Sequence, residues 1–124
     1  MRYSSAAILG VMLMAACAAD RPADFDGSYR LADIDGQALP GTADLTIEGS
    51  HIHGTGPCNN YFAQNGAAWP DVDFAAIGST RRACLTEGGE ARYFEALGQV
   101  ETAERTGDGL ILRGPGGRLT FTAG

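Results

Sequence analysis

The chain has 124 residues, and its nine basic residues, all of them Arg, face 15 acidic ones, so the formal net charge is -6. This acidic balance argues against nucleic acid and anionic lipid surfaces as partners, because proteins bind both chiefly through Lys and Arg. The length suits a single domain with one modest hydrophobic core.

The N-terminal segment has the features of a bacterial lipoprotein precursor. Arg2 precedes an apolar run over residues 6–14, which is too short for a membrane-spanning helix and suits the apolar region of a signal peptide. The small residues before Cys17 resemble the lipobox at which such precursors are lipidated and cut. We therefore predict a signal peptide over residues 1–16 and a lipidated Cys17 within a polar tether over residues 17–26. The alternative is an ordinary secretory signal that leaves a free cysteine.

The predicted lipid indicates where the protein resides. More than one acyl chain on Cys17 would anchor it stably to a membrane. Ala18 follows Cys17, and the resemblance to Gram-negative lipoproteins implies release to the outer membrane, facing the periplasm. In a Gram-positive host the same signal would place the domain outside the cytoplasmic membrane. The predicted compartment is the cell envelope, and the membrane is a partner through the N-terminal lipid.

After the tether, short apolar segments alternate with turns rich in Gly, of which the chain has 18. Period-two alternation and turn residues such as Asp35-Gly36 and Asn65-Gly66 predict strands and hairpins. The predicted strands cover residues 29–34, 45–47, 51–56, 61–64, 67–69, 72–74, 100–105, 110–113 and 118–122. The last three form a closing meander, which is the simplest topology for consecutive short strands.

One segment has the period of a helix instead. Its apolar residues recur at helical spacing between Gly89 and Gln99, namely Tyr93, Phe94, Leu97 and Val100. Thr86 is the candidate N-cap, and we expect Glu90 on the side of the helix away from the apolar residues. The predicted fold is mainly β with one helix (α+β), in which about eight antiparallel strands form a curled sheet or small barrel over an amphipathic helix.

Two cysteines remain after export, Cys58 and Cys84, and they are most simply paired with each other. A disulfide between them would contribute roughly 3.5 kcal/mol by the chain-entropy model. The competing interpretation is a reactive thiol. The sequence offers little for it, because there is no CxxC motif and no spacing that implies a group of Cys, His and acid.

Two motifs surround these cysteines. Residues 52–61, Ile-His-Gly-Thr-Gly-Pro-Cys-Asn-Asn-Tyr, match a strand followed by Gly-x-x-Cys-Asn, and residues 80–84, Thr-Arg-Arg-Ala-Cys, match Thr-x-x-Ala-Cys. In this order they resemble the META domain, the family that includes the heat-inducible HslJ lipoproteins. The chain departs from the family at Pro57, where Gly is usual, at Arg82, where Met is usual, and at Tyr29, where Trp is common.

The resemblance covers residues 27–124 and implies a small antiparallel META-type barrel or curled sheet with one helix. META domains have no established catalytic residues that could be carried over to this chain. We therefore predict a protein that is not an enzyme and that uses no cofactor.

The residues beside the two cysteines form the candidate binding surface, which comprises Asn59, Asn60, Tyr61, Arg81 and Arg82. The adjacent Arg pair could receive a carboxylate or a phosphate, or it could be a solvated turn. The two Asn side chains could instead hydrogen-bond their own backbone in a turn. Tyr61, Phe62 and Trp69 could line a pocket, although we expect all three rings in the core.

His51 and His53 flank Ile52 on a predicted strand, so their side chains point the same way at a spacing that a metal ion could bridge. A metal site needs a third and a fourth ligand, and the chain has no other His. We expect solvated histidines on the outer face of the strand and no metal, with the pair as a weak candidate.

Three functions are compatible with the sequence. The leading hypothesis is a non-enzymatic envelope lipoprotein that binds or supports another envelope component, with a link to envelope or heat stress that the resemblance implies. A lipid-anchored inhibitor of a secreted hydrolase such as lysozyme is the second, because a small acidic domain suits a cationic enzyme. The third is a carrier of a small apolar ligand, which would need an unfilled interior.

Overall fold

The computed structural model describes residues 24–124. The predicted signal peptide over residues 1–16 and the predicted lipidation site at Cys17 lie outside the described residues. The last part of the predicted tether lies against the domain, because Phe25 is buried and its carbonyl oxygen accepts a 2.7 Å hydrogen bond from the Tyr29 hydroxyl. Among the described residues, no helix combines the length and the apolar character needed to cross a membrane.

The described residues form eight strands and one helix. In chain order the elements are β1 (Gly27–Ile34), β2 (Asp44–Glu48), β3 (His51–Thr55), β4 (Asn60–Gln64), β5 (Gly78–Ser79), α1 (Glu90–Gly98), β6 (Thr102–Arg105), β7 (Gly109–Gly114) and β8 (Gly117–Ala123). The strands make one antiparallel sheet in the order β5-β4-β3-β2-β1-β8-β7-β6. The prediction of a mainly antiparallel fold with one helix is confirmed, and so is the closing meander of the last three strands.

The sheet is curled but stays open. Thr102 of β6 pairs with Asp71 in an isolated bridge, and the Ala103 amide donates a 2.8 Å hydrogen bond to the Pro70 carbonyl oxygen. Asp71 and Pro70 belong to the loop after β4, near the opposite edge of the sheet, so this loop links the two edges. Of the two predicted forms, the curled sheet is confirmed. The barrel is wrong, because one bridge to a loop does not make a continuous ladder between edge strands.

Alternation along the strands creates the core. On β2 and β3, Leu45, Ile47 and Ile52 are buried, whereas the residues between them face outward. The helix contributes a further set of buried side chains, Tyr93, Ala96 and Leu97. Burial of these apolar groups on the inner face of the sheet is the main source of stability, at about 25 cal/mol per Å².

The segment between β4 and β5 differs from its prediction. We predicted a strand over residues 67–69 and another over residues 72–74, but the structure has a loop. The buried side chain of Asn65 organises it, because its Oδ1 accepts hydrogen bonds from the Ala67 and Asp73 amides and its Nδ2 donates to the Asp71 carbonyl oxygen. A side chain that bonds three backbone groups competes directly with a strand ladder.

Phe62 lies on the outer face of the sheet, not in the core as we expected. Its neighbours on β4, Tyr61 and Ala63, point inward, so the alternation turns Phe62 outward and leaves it 65% exposed. Its ring lies over Gly78 of β5, where a Cβ atom would clash with it. Trp69 is partly buried against the core and stacks on Phe25, as expected for a core-associated ring.

The helix begins at Glu90, as its apolar period predicts, but Thr86 is not its cap. Gly89 is the N-cap, with a φ of 87°, and no side chain caps the helix. This left-handed conformation favours Gly, because a Cβ atom would be strained there. Instead, the Glu87 carboxylate accepts a 2.8 Å hydrogen bond from the Gly89 amide.

Candidate functional site

The candidate site lies at one end of the sheet, where β3 ends, β4 begins and the helix starts. The loop after β3 and the long loop before the helix meet here, and a disulfide between Cys58 and Cys84 joins them with a Cα–Cα distance of 5.7 Å. The predicted pairing is therefore present in the structure. It covalently fixes a loop that contributes no strand and no helix of its own.

Asn59 is the hub of the hydrogen bonds around the disulfide, and it is buried. Its Oδ1 accepts hydrogen bonds from the Arg82 amide at 2.7 Å and from the Thr80 hydroxyl at 3.0 Å. Its Nδ2 donates to the Arg82 carbonyl oxygen at 3.3 Å and to Glu90 Oε2 at 2.8 Å. One side chain thus bonds both backbone polar groups of Arg82, which fixes the backbone just before Cys84.

Glu90 completes this network from the first turn of the helix. Its Oε1 accepts hydrogen bonds from the Asn59 amide at 2.6 Å and from the Cys58 amide at 3.1 Å. Burial raises the pKa of Glu90, but these hydrogen bonds, together with the charge of Arg82, outweigh that effect, and the pKa lies below its ordinary value. Gly56 leaves room for the carboxylate, since a Cβ atom there would approach Oε1 to 2.8 Å.

Sequence reasoning missed the role of Glu90. We expected it on the side of the helix that faces solvent, whereas it binds backbone groups that lie more than 30 positions earlier in the chain. The helical period locates the apolar face but says nothing about a polar residue at the first position. The useful signal was an acidic residue in the first helical turn, close to Cys84 in sequence.

The two arginines of the candidate surface have different roles. The guanidinium of Arg82 donates a hydrogen bond to the Cys58 carbonyl oxygen, so Arg82 helps to hold the two loops together. The side chain of Arg81 is exposed to solvent and remains accessible to a partner. Among the other candidates, Asn60 is exposed, whereas Tyr61 is buried and donates to the Asp44 carbonyl oxygen at 2.6 Å. The accessible part of the predicted surface is therefore smaller than the sequence suggested.

The loop also presents an apolar side chain that the sequence analysis did not single out. We define the disulfide loop as residues 81–87, all of which are exposed. Leu85, directly after Cys84, is fully exposed at 102%. In the described part of the chain, Leu85 and Phe62 are the two large hydrophobic residues that face solvent. Only Leu85 stands on a loop that a disulfide and an internal network hold in place.

The outer face of the sheet carries both histidines. His51 Nδ1 lies 3.3 Å from Gln64 Nε2, and His53 Nε2 lies 3.5 Å from Glu48 Oε1, so the two rings contact different neighbours. A shallow groove of about 720 Å³ runs beside them and Phe62. Glu48 could offer a carboxylate oxygen, but within residues 24–124 the three potential ligands that lie close together are at the disulfide and not at the histidines, so the pair stays a weak prediction.

Three potential metal ligands do lie close together at the disulfide end. In residues 24–124, the sulfur atoms of Cys58 and Cys84 and a carboxylate oxygen of Glu90 lie within 4.8 Å of one another. Both sulfur atoms belong to the disulfide, so they are not thiolates and cannot act as the usual ligands. The chemistry of this cluster is structural, with one covalent bond and a carboxylate that accepts backbone hydrogen bonds.

Comparisons with known proteins agree with the fold. The family model of the META domain matches residues 23–124. The chain is also similar to an NMR structure of a protein from Burkholderia xenovorans, with 26% sequence identity and a TM-score of 0.65 over 80% of this chain and 82% of the other. No curated protein matches the sequence.

Proposed function

Because this chain belongs to the META domain family, which is not a known enzyme family, we propose that it is a non-enzymatic binding module that presents its disulfide loop to another protein. The observation that carries the proposal is the network of Asn59 and Glu90. It fixes a fully exposed loop by hydrogen bonds and by a disulfide, although the loop adds nothing to the core. A rigid exposed loop loses little conformational entropy on binding.

The proposal includes a lipid anchor at Cys17 and a location in the cell envelope. Support comes from the directions of the strands. Gly27 pairs with Ile47 near the end where the chain enters the domain, and Arg30 pairs with Asp44 nearer the other end. The Asp44 carboxylate accepts hydrogen bonds from Thr55, where β3 ends just before the disulfide. The disulfide loop would then point away from the membrane, toward soluble or neighbouring proteins.

Cross-linking would test this function. The full-length protein is cross-linked in its native envelope, with and without heat stress, purified in detergent and analysed by mass spectrometry for stoichiometric partners. We expect one partner that is lost when Arg81→Ser and Leu85→Ser are combined. Phe62→Ser is the matched control, because it removes the other exposed large hydrophobic side chain on a different face. An unchanged partner in the double variant would contradict the proposal.

The second candidate is an inhibitor of a secreted hydrolase, and the exposed Leu85 on a fixed loop favours it. The carrier of a small apolar ligand gains no support, because buried side chains occupy the inner face of the described sheet.

A further inference from the structure

The side chain of Leu85 is fully exposed and buries none of its apolar surface within the domain. Full burial of a Leu side chain is worth about 1.5–3 kcal/mol, so a partner with an apolar pocket would gain this energy from one side chain. A single exposed Leu is common on protein surfaces and needs no explanation by itself. What distinguishes Leu85 is its support, because the residue directly before it is covalently tied to Cys58.

Both ends of the disulfide loop are held to the domain. On the N-terminal side, Asn59 binds the amide and the carbonyl oxygen of Arg82. On the C-terminal side, the Gly41 amide donates a 3.0 Å hydrogen bond to the Gly88 carbonyl oxygen. Between these points the chain bends at Leu85 and Thr86 and contacts solvent throughout. The loop is therefore an exposed segment with fixed ends and one large apolar side chain near its middle.

This arrangement has the properties of a segment that resists a protease while occupying its cleft. Hydrolysis of the Leu85–Thr86 peptide bond would consume one water and give a carboxylate on Leu85 and an amine on Thr86. The disulfide and the bonds of Asn59 would hold one new end, and the helix and Gly88 would hold the other. Because neither product could diffuse away, cleavage would gain little entropy and would be readily reversed.

We propose that the disulfide loop binds in the cleft of an endopeptidase whose primary pocket accepts an apolar side chain, with Leu85 as the residue in that pocket. This inference rests on the proposed function, since it names the partner class of the same loop. Leu also separates this class from lysozyme, because a cleft that binds sugars presents polar groups, which an apolar side chain would leave without partners.

Inhibition assays test the inference. The full-length protein, purified in mild detergent, is titrated against chymotrypsin and subtilisin, which have apolar primary pockets, and against trypsin, which does not. We expect inhibition of at least one of the first two, with the chain intact by mass spectrometry after many turnover times. Leu85→Gly should weaken inhibition by roughly 10- to 100-fold, as the loss of one buried Leu predicts. Phe62→Ser should leave it unchanged.

Two results would overturn the inference. One is the absence of inhibition at a large excess of the protein, and the other is cleavage after Leu85 at the rate of an ordinary substrate. The cross-linking experiment then separates the two proposals. If a partner is still lost in the Arg81 and Leu85 double variant, the binding function stands and only the endopeptidase class is wrong. If that partner is also unaffected, the disulfide loop has no binding function.

Discussion

Asn59 and Glu90 show how two polar side chains can replace regular structure. The loops that they join have no strand pairing. Instead, two backbone amides donate to the Glu90 carboxylate, and the backbone N–H and carbonyl oxygen of Arg82 both bond to the side-chain amide of Asn59. Each hydrogen bond to a charged group is worth about 1.5–3 kcal/mol, more than a neutral one. The site therefore depends on the ionisation of Glu90.

This dependence predicts an effect of pH on stability. The folded pKa of Glu90 is lowered, so ionised Glu90 stabilises the fold above its unfolded pKa of about 4.3, and this contribution is lost as the pH falls through the folded pKa. We expect Glu90→Gln to lower the free energy of unfolding by roughly 1–3 kcal/mol at neutral pH and by less under strongly acidic conditions. Urea unfolding over this pH range measures both.

Glu95→Gln is the control for this experiment, because Glu95 is an exposed carboxylate on the same helix. It should have little effect at any pH, as is usual for surface positions. A loss of stability in Glu90→Gln that stays constant down to strong acid would show that the carboxylate is not ionised in the folded protein.

The hydroxyl groups of two buried tyrosines, Tyr61 and Tyr93, should contribute unequally to stability. The Tyr61 and Tyr93 hydroxyls lie 2.6 Å apart, and the Asp44 carbonyl oxygen lies 2.6 Å from Tyr61 but 3.5 Å from Tyr93. Burial raises the pKa of both, so both hydroxyls keep their protons. Tyr61→Phe removes the close donor and should cost about 1–2 kcal/mol of unfolding free energy, whereas Tyr93→Phe should cost less. Equal losses in urea unfolding would refute this order.

At the scale of elements, Gly54 of β3 leaves no room for a side chain beside the backbone of β2. A Cβ atom at this position would overlap the Asp44 carbonyl oxygen, which also receives the Tyr61 hydroxyl. Gly54→Ala must therefore push the strands apart, at a cost of about 1–3 kcal/mol in the free energy of unfolding. Gly107→Ala is the control, since a Cβ atom there meets open space. Similar thermal unfolding temperatures for the two variants would contradict this account.

The sequence predicts those elements that have their own period. Strands β2, β3, β7 and β8 and the helix lie within two residues of their predicted bounds, because alternation or helical spacing of apolar side chains is a local property. Strand β5 has only two residues and no alternation, so it was not predicted. The loop after β4 depends on the side chain of Asn65, whose bonds reach residues up to eight positions away. Local patterns carry no information on such contacts.

For the whole molecule too, sequence predicts the features that depend on local patterns and misses those that depend on tertiary contacts. The disulfide pair followed from counting cysteines, but the open form of the sheet did not follow from the number of strands. Within residues 24–124, the loop between Pro70 and Val72 links its edges, and the placement of that loop is a tertiary property. Likewise, sequence named Arg81 and Arg82 as equivalent, and only the structure separates the residue that supports the loop from the one that is accessible.

The positions of the two ends predict how an anchored molecule would be oriented. Trp69 is the only Trp in the sequence, and it stacks on Phe25, immediately after the point where the described chain begins. The segment between Cys17 and Asp24 spans at most about 25 Å when fully extended. Arg105 also holds the start of the domain, because its guanidinium donates to the Asp24 carbonyl oxygen. In lipidated protein, Trp69 should therefore lie near the membrane and Leu85 far from it.

Fluorescence quenching can measure this orientation. The lipidated protein is reconstituted in vesicles whose lipid headgroups carry a quencher, and the fluorescence of Trp69 is compared with that of a Trp69→Phe, Leu85→Trp variant. Strand β3 runs from near Gly49, whose carbonyl oxygen accepts a hydrogen bond from Trp69, to just before the disulfide, and it spans roughly 16 Å. The quencher should therefore reduce the emission of Trp69 more than that of the introduced Trp. Equal quenching would mean that the domain lies on its side or tumbles freely at the membrane, and the disulfide loop would then not be held toward a partner.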